Sequence, residues 1–150
     1  MHRRYRVRPV RERDLDAILL VEHASFGKDA YDRKLFAEYC HKCGDLFLVA
    51  ERNGRVCGYS ITCVHGERAE LVSIATDPGM RQAGVGSRLL ISTLRRLRRR
   101  PVTRITLMVR ETNLDAVRFY GEFEFTKVRV VPKYYEDGGD GVLMRKMLGG

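Results

Sequence analysis

The chain has 150 residues, 44% hydrophobic and 31% charged, and its 28 Lys and Arg against 19 Asp and Glu give a formal net charge of +9. That length fits one sizeable core and leaves no room for a second domain of ordinary size, so a single domain over 1–150 is expected. No apolar run reaches the ~18 residues of a membrane span, and the start, Met1-His2-Arg3-Arg4-Tyr5, lacks the apolar segment of a secretory signal. The expected setting is the cytoplasm, with no membrane partner.

Residues 5–10 alternate like a strand, and residues 14–26 place Leu15, Ile18, Leu19 and Phe26 on one helical face. Residues 27–32, Gly-Lys-Asp-Ala-Tyr-Asp, break that pattern and form a candidate substrate loop. A second helix is expected over 33–43, ending before Gly44. The apolar runs 46–51 and 56–64 flank Asn53-Gly54, a strong hairpin signal. A strand over 69–76, a helix over 84–99 and a strand over 103–110 make a β-helix-β unit, which normally sets its two strands parallel. Helix 113–122 and strands 125–131 and 142–148 complete the order. The result is an α+β architecture, a mixed sheet with helices on its faces, and no internal repeat is evident.

The four cysteines are Cys40, Cys43, Cys57 and Cys63. The Cys40-His41-Lys42-Cys43 pair has no second close-spaced partner, and Cys57 and Cys63 fall in one alternating run, which argues against a tetrahedral zinc site. Reduced, partly buried thiols are the expected state.

The junction 81–87, Arg-Gln-Ala-Gly-Val-Gly-Ser, lies between the apolar strand and the helix. Its glycines lack a Cβ, so backbone N–H groups can approach an anion. The first turn of a helix also offers unsatisfied donors at the positive end of the macrodipole. Taken alone, the stretch is either a phosphate cradle or a turn begun by Asp77-Pro78-Gly79 that the later glycines tighten. Two other phosphate loops are excluded by spacing: Leu89 stands where a dinucleotide fingerprint needs Gly or Ala, and no Gly-Lys-Ser/Thr occurs.

As Arg81-x-x-Gly84-x-Gly86 the junction resembles the acetyl-coenzyme A loop of the GCN5-related N-acetyltransferases. Residues 107–120, Leu-Met-Val-Arg-Glu-Thr-Asn-Leu-Asp-Ala-Val-Arg-Phe-Tyr, are similar to that family's second signature: a strand, then Asn, then a helix ending near Tyr. Residues 133–144, with Tyr134, Tyr135 and Asp137-Gly138-Gly139, resemble the tail of the branch that acetylates protein α-amino groups, as in the ribosomal-protein-alanine acetyltransferases. The resemblance implies a mixed, mostly antiparallel central sheet of six to seven strands with about four helices and a parallel central β-helix-β unit. It further implies that strands 69–76 and 103–110 splay, so that the backbone of Ile74, Ala75 and Thr76 bonds the acetyl-pantetheine arm. Gln82, Ala83, Gly84, Val85, Gly86 and Ser87 would cradle the pyrophosphate, and Asn113 would bond the arm. An Asn before a helix is equally an N-cap. The implied co-substrate is acetyl-coenzyme A, with no metal.

The implied reaction is attack of a neutral amine on a thioester through a tetrahedral intermediate. It requires positioning, removal of a proton from an ammonium, and protonation or stabilisation of the departing thiolate. Tyr120 matches the family's Tyr that donates to the coenzyme sulfur, although Phe119, Phe123 and Phe125 beside it also make it a candidate core aromatic. The ribosomal-protein-alanine branch usually carries a Glu before the Val-Arg pair. Met108 occupies that place here and cannot take a proton. Glu70 stands at a position similar to the catalytic Glu of histone-acetylating members and is the candidate base, directly or through water; read alone, it is a solvated strand-end carboxylate. Glu124 stands where the family commonly has Gly, which leaves the helix-to-strand connection open.

Tyr134 and Tyr135 resemble the paired tyrosines that grip the backbone of an N-terminal substrate, with Tyr31 of the 27–32 loop as a further substrate contact. Otherwise they cover a sheet edge next to a turn. The expected acceptor is a protein or peptide N-terminus, a ribosomal protein among the candidates; a small amine is the alternative. The run Arg95-Arg96-Leu97-Arg98-Arg99-Arg100 would suit a non-catalytic nucleic-acid or ribosome-binding module. The helix dipole and the phosphates of coenzyme A account for it without a polymer, and no aromatic residue interleaves it, so nucleic acid is not the expected partner.

Overall fold

The computed structural model describes residues 5–27 and 30–149, and for residues 81–83 the backbone path alone. Its elements in chain order are β1 (Arg6–Pro9), α1 (Leu15–Phe26), α2 (Arg33–Lys42), β2 (Phe47–Arg52), β3 (Arg55–His65), β4 (Arg68–Thr76), α3 (Val85–Leu97), β5 (Arg104–Arg110), α4 (Leu114–Glu122), β6 (Thr126–Val131) and β7 (Gly141–Met147). Short 3₁₀ turns at Glu12–Asp14 and Pro78–Ala83 lead into α1 and α3. The strands form a seven-stranded sheet in the order β1-β2-β3-β4-β5-β7-β6. The β4–β5 pair is parallel, while β1–β2, β2–β3, β5–β7 and β6–β7 are antiparallel. The expected mixed, mostly antiparallel α+β sheet with four helices is what forms.

Tertiary contacts divide the chain into two compact units, Met1–Cys63 with Ser73–Arg100, and Val64–Val72 with Pro101–Gly150. In the first unit, Asn53 and Gly54 take positive φ (54° and 76°), the geometry of the two-residue hairpin that joins β2 to β3. The Asp32 carboxylate caps α2 by accepting from the Leu35 N–H at 2.9 Å. One core cluster gathers Tyr5, Leu48, Ala50, Cys57, Val85 and Leu89. A second is aromatic, with the Phe36 and Tyr59 rings edge-to-face at 5.5 Å and each 6.2 Å from Phe47. Arg8 is buried and forks onto Asp14 at 2.8 and 2.9 Å, with Glu51 at 3.1 Å. That fork holds the Asp14 carboxyl below its ordinary range.

The expectation of four reduced thiols is corrected in this unit. Cys43, which closes α2, and Cys63, near the end of β3, form a disulfide with Cα atoms 5.3 Å apart. Cys40 and Cys57 are free. Their sequence spacing carried no sign of the pairing, because it depends on where the end of α2 lands against β3.

In the second unit, Ile105, Leu107 and Val109 of β5 and Val142 and Met144 of β7 point into the core, alternating with more exposed neighbours. The outer strand β6 is exposed along nearly its whole length and carries Lys127 and Arg129, charges that discourage edge-to-edge pairing. Helix α4 ends in a Schellman motif: the Phe125 N–H donates to the Tyr120 carbonyl at 3.1 Å and the Glu124 N–H to the Gly121 carbonyl at 3.0 Å. Glu124 takes φ 69° there, so the helix-to-strand connection keeps the left-handed form despite the missing glycine.

Candidate functional site

The first unit carries the junction between β4 and α3. Asp77 turns the chain, its Oδ1 accepting from the Gly79 N–H at 3.0 Å while its own N–H donates to the Cys57 carbonyl at 2.7 Å. Gly84 then takes φ 78° and ψ 16°, left-handed backbone that favours glycine. Helix α3 starts at Val85 with no side-chain cap and no acidic residue in its first turn. Its own turns therefore offer no acceptor to the amides of Val85, Gly86 and Ser87. A Cβ at Gly84 would meet nothing within 4 Å. Uncapped donors, an open approach and the positive end of the dipole fit a pyrophosphate. The side chains of Gln82 and Ala83 lie outside the described residues.

Glycine 58 makes this junction possible and escaped the sequence reading. A Cβ there would stand 2.8 Å from the Ala75 carbonyl oxygen and 3.0 Å from Val85 Cγ1, so only glycine lets β3 run this close to Ala75 and Val85. A glycine inside a strand was the signal available. Ile74 packs against the core cluster, Ala75 is buried, and the Thr76 carbonyl accepts from Ser25 Oγ at 3.5 Å.

Tyr31 belongs to the same unit. Its N–H donates to Glu22 Oε2 at 2.9 Å, and its ring stands 6.0 Å from Phe36 and 6.5 Å from Tyr39. Glu22 is 1% exposed, and burial pushes its carboxyl up to about 7 against the opposing pull of the Tyr31 N–H. Residues 28–29 of the expected substrate loop lie outside the described residues.

In the second unit, β4 and β5 pair only over Arg68–Arg104, Ala69–Ile105 and Glu70–Thr106. Leu71 and Val72 continue β4 with no ladder partner in β5. Glu70, at the last paired position, keeps a side chain 47% exposed with Oε1 4.0 Å from His65 Nε2. Two residues along β5 from Thr106, on the same face, Met108 packs against the backbone of Gly141, where a Cβ would meet its Sδ at 2.9 Å and the Tyr134 Cβ at 3.2 Å. An apolar side chain therefore sits beneath the tyrosine pair.

Asn113 caps α4, its Oδ1 accepting from the Ala116 N–H at 3.1 Å. Tyr120, buried, packs its ring 5.2 Å from Phe119 and 5.6 Å from Phe125. Burial pushes its phenol up, so the hydroxyl stays protonated and can act as a donor.

The connection from β6 to β7 is held by its own hydrogen bonds. The Tyr135 N–H donates to the Gly139 carbonyl at 3.1 Å, Gly138 N–H to the Tyr135 carbonyl at 2.9 Å, and Lys133 N–H to Asp140 Oδ1 at 3.0 Å. The Arg110 guanidinium lies 4.1 Å over the Tyr135 ring and bonds Asp137 at 3.1 Å. Tyr134 stands edge-to-face with Tyr135 at 5.0 Å and is half exposed. The pair is thus presented on a stiff loop. Arg110 and Asp137 carry no motif of their own, and their sign in the sequence is a strand-end cation and a turn carboxylate.

Among the described residues no group of three His, Cys, Asp or Glu could hold a metal. Among them, too, no helix is long and apolar enough to cross a membrane.

Comparison with known proteins agrees with this geometry. The acetyltransferase (GNAT) family profile matches residues 13–125. An N-acetyltransferase of Methanocaldococcus jannaschii is 34% identical over 142 residues, covering 93% of this chain and 90% of that protein. An N-alpha-acetyltransferase of Sulfolobus acidocaldarius is 29% identical, with 93% and 90% covered. The crystal structure of the ribosomal-protein-S18-alanine N-acetyltransferase from Escherichia coli superposes with a TM-score of 0.86 at 26% identity, covering 98% of this chain and 96% of that one. On that match, and on the uncapped junction at Gly84, the chain belongs to the acetyltransferase (GNAT) family and is an N-acetyltransferase.

Proposed function

We propose that this chain, a single catalytic domain over 1–150 working in the cytoplasm, acetylates the α-amino group of a protein or peptide with acetyl-coenzyme A as donor. The observation that carries the acceptor is the braced tyrosine loop, in which Arg110 and Asp137 fix Tyr135 and leave Tyr134 half exposed. Aromatic walls with polar tips suit an extended peptide backbone. The Sulfolobus acidocaldarius relative, an N-alpha-acetyltransferase, and the Escherichia coli structure, named for an alanine of ribosomal protein S18, support the same class. A ribosomal protein is one candidate acceptor.

The donor supplies an activated acetyl thioester. The backbone of Gln82 to Ser87 holds its pyrophosphate, and the backbone of Ile74, Ala75 and Thr76 aligns its arm, with Asn113 adding a contact while capping α4. Tyr31, Tyr134 and Tyr135 orient the peptide. Glu70, directly or through water, takes the proton that makes the incoming amine neutral, the usual carboxylate position being held by Met108. As the N–C bond forms and the C–S bond breaks, the Tyr120 hydroxyl gives its proton to the departing sulfur, and the second proton shed by the attacking nitrogen passes through water to restore the phenol.

The test pairs a peptide with a free N-terminus and an internal lysine against the same peptide blocked at its α-amine, each incubated with acetyl-coenzyme A. Mass spectrometry is expected to place the acetyl group on the free α-amine and leave the blocked peptide unchanged. Label on the lysine of both peptides, or only on small amines, would overturn the assignment.

A further inference from the structure

Helix α3 carries a second basic feature away from its uncapped start. Arg88, Arg95, Arg96 and Arg99 line a cavity of about 630 Å³ together with Val7, Ile91 and Ser92. Arg88 is tied to the Tyr5 carbonyl at 3.3 Å, which fixes one end of the groove beside β1. Among the described residues Arg100 pairs with Asp45, whereas no carboxylate stands within salt-bridge distance of Arg95, Arg96 or Arg99. Among the described residues no acidic one lines the cavity.

The helix dipole explains cations in the last turn, where Arg95 and Arg96 stand, but it disfavours Arg88 in the first. Arg95 and Arg96 stand in the last turn of α3 and Arg99 in the turn that follows Leu97, and all three line the same cavity, so like charges crowd together there. Such crowding persists without internal carboxylates when an external anion relieves it. From Arg88 to Arg96 along α3 the stripe is about 12 Å long, too long for a single phosphate and about the rise of three to four stacked nucleotides, with Arg99 following past the helix end.

We propose that this groove between α3 and β1 binds the sugar-phosphate backbone of RNA, in addition to the acetyl-transfer site. Arginine forks match phosphate oxygens. With no aromatic residue among the described lining residues there is no platform there for base stacking, so binding is independent of sequence and sensitive to salt. Among the described lining residues only Val7 and Ile91 are apolar, too little to enter a lipid surface.

The experiment measures fluorescence anisotropy of a labelled oligouridine of about twenty nucleotides with the full chain, over a salt series, with and without acetyl-coenzyme A. The variant R95A/R96A/R99A removes three guanidiniums and leaves acetyl transfer to a peptide as its control for folding. Wild type is expected to bind with a log–log salt slope near −2, and the variant about tenfold or more weaker with transfer unchanged. Saturating acetyl-coenzyme A is expected to leave RNA affinity unaltered. Equal RNA binding by the variant, or loss of RNA binding in the presence of acetyl-coenzyme A, would overturn the proposal. So would binding to phosphatidylcholine–phosphatidylserine vesicles without binding to RNA.

Discussion

Phe125 closes helix α4 and walls its candidate acid at once: its N–H donates to the Tyr120 carbonyl at 3.1 Å, and its ring lies 5.6 Å from the Tyr120 ring. Aromatic packing therefore holds Tyr120 independently of its hydroxyl. Tyr120→Phe is expected to keep its fold and its affinity for acetyl-coenzyme A while turnover drops by about 10²-fold or more. Steady-state kinetics beside calorimetric binding read both quantities, and undiminished turnover would remove Tyr120 from the proton path.

The same helix end makes a stability prediction. Glu124 holds φ 69°, which costs a side-chain-bearing residue about 1 kcal/mol relative to glycine. Its ion pair with Lys146, 3.7 Å long and largely exposed on the Glu124 side, offsets little of that. Glu124→Gly should raise the thermal midpoint by roughly 2–4 °C with activity retained.

Local chemistry was legible in the sequence and long-range placement was not. Asn53-Gly54 announced the hairpin and Gly84 the opening of α3, because each acts through a turn of its own backbone. Glu124 kept a left-handed turn that its identity argued against, since the Schellman bonds at Gly121 and Tyr120 impose it. The Cys43–Cys63 bond, the close pass of Gly58 by Ala75, and the bracing of Tyr135 by Arg110 join residues distant in the chain. No periodicity or motif encodes such meetings.

Glu22 gives the protein a pH dependence. Its carboxyl is raised by burial from 4.5 to about 7, so between those values the native state holds a proton that the unfolded chain has released. Stability contributed by this group is therefore lost as pH rises through that window, by about 3 kcal/mol in full. Denaturant midpoints should fall from pH 4.5 to 7 in wild type, and Glu22→Gln should remove that component. Parallel curves for the two proteins would contradict it.

Cys43 and Cys63 close a loop with a sequence separation of 20. Cross-linking a loop of that size stabilises by about 3 kcal/mol in the chain-entropy account. Reduction, or Cys43→Ser with Cys63→Ser, should lower the thermal midpoint by roughly 6–12 °C. A midpoint indifferent to reductant would mean that the bond contributes nothing to stability.

The central claim is that amides at the start of α3, reached through left-handed Gly84, hold the diphosphate of the acetyl donor. Calorimetric titration of the protein with acetyl-coenzyme A and with acetyl-pantetheine, which lacks the diphosphate and nucleoside, tests it directly. Acetyl-coenzyme A is expected to bind at least about 100-fold more tightly, two tenfold steps in affinity. Equal affinity for the two donors would contradict the account.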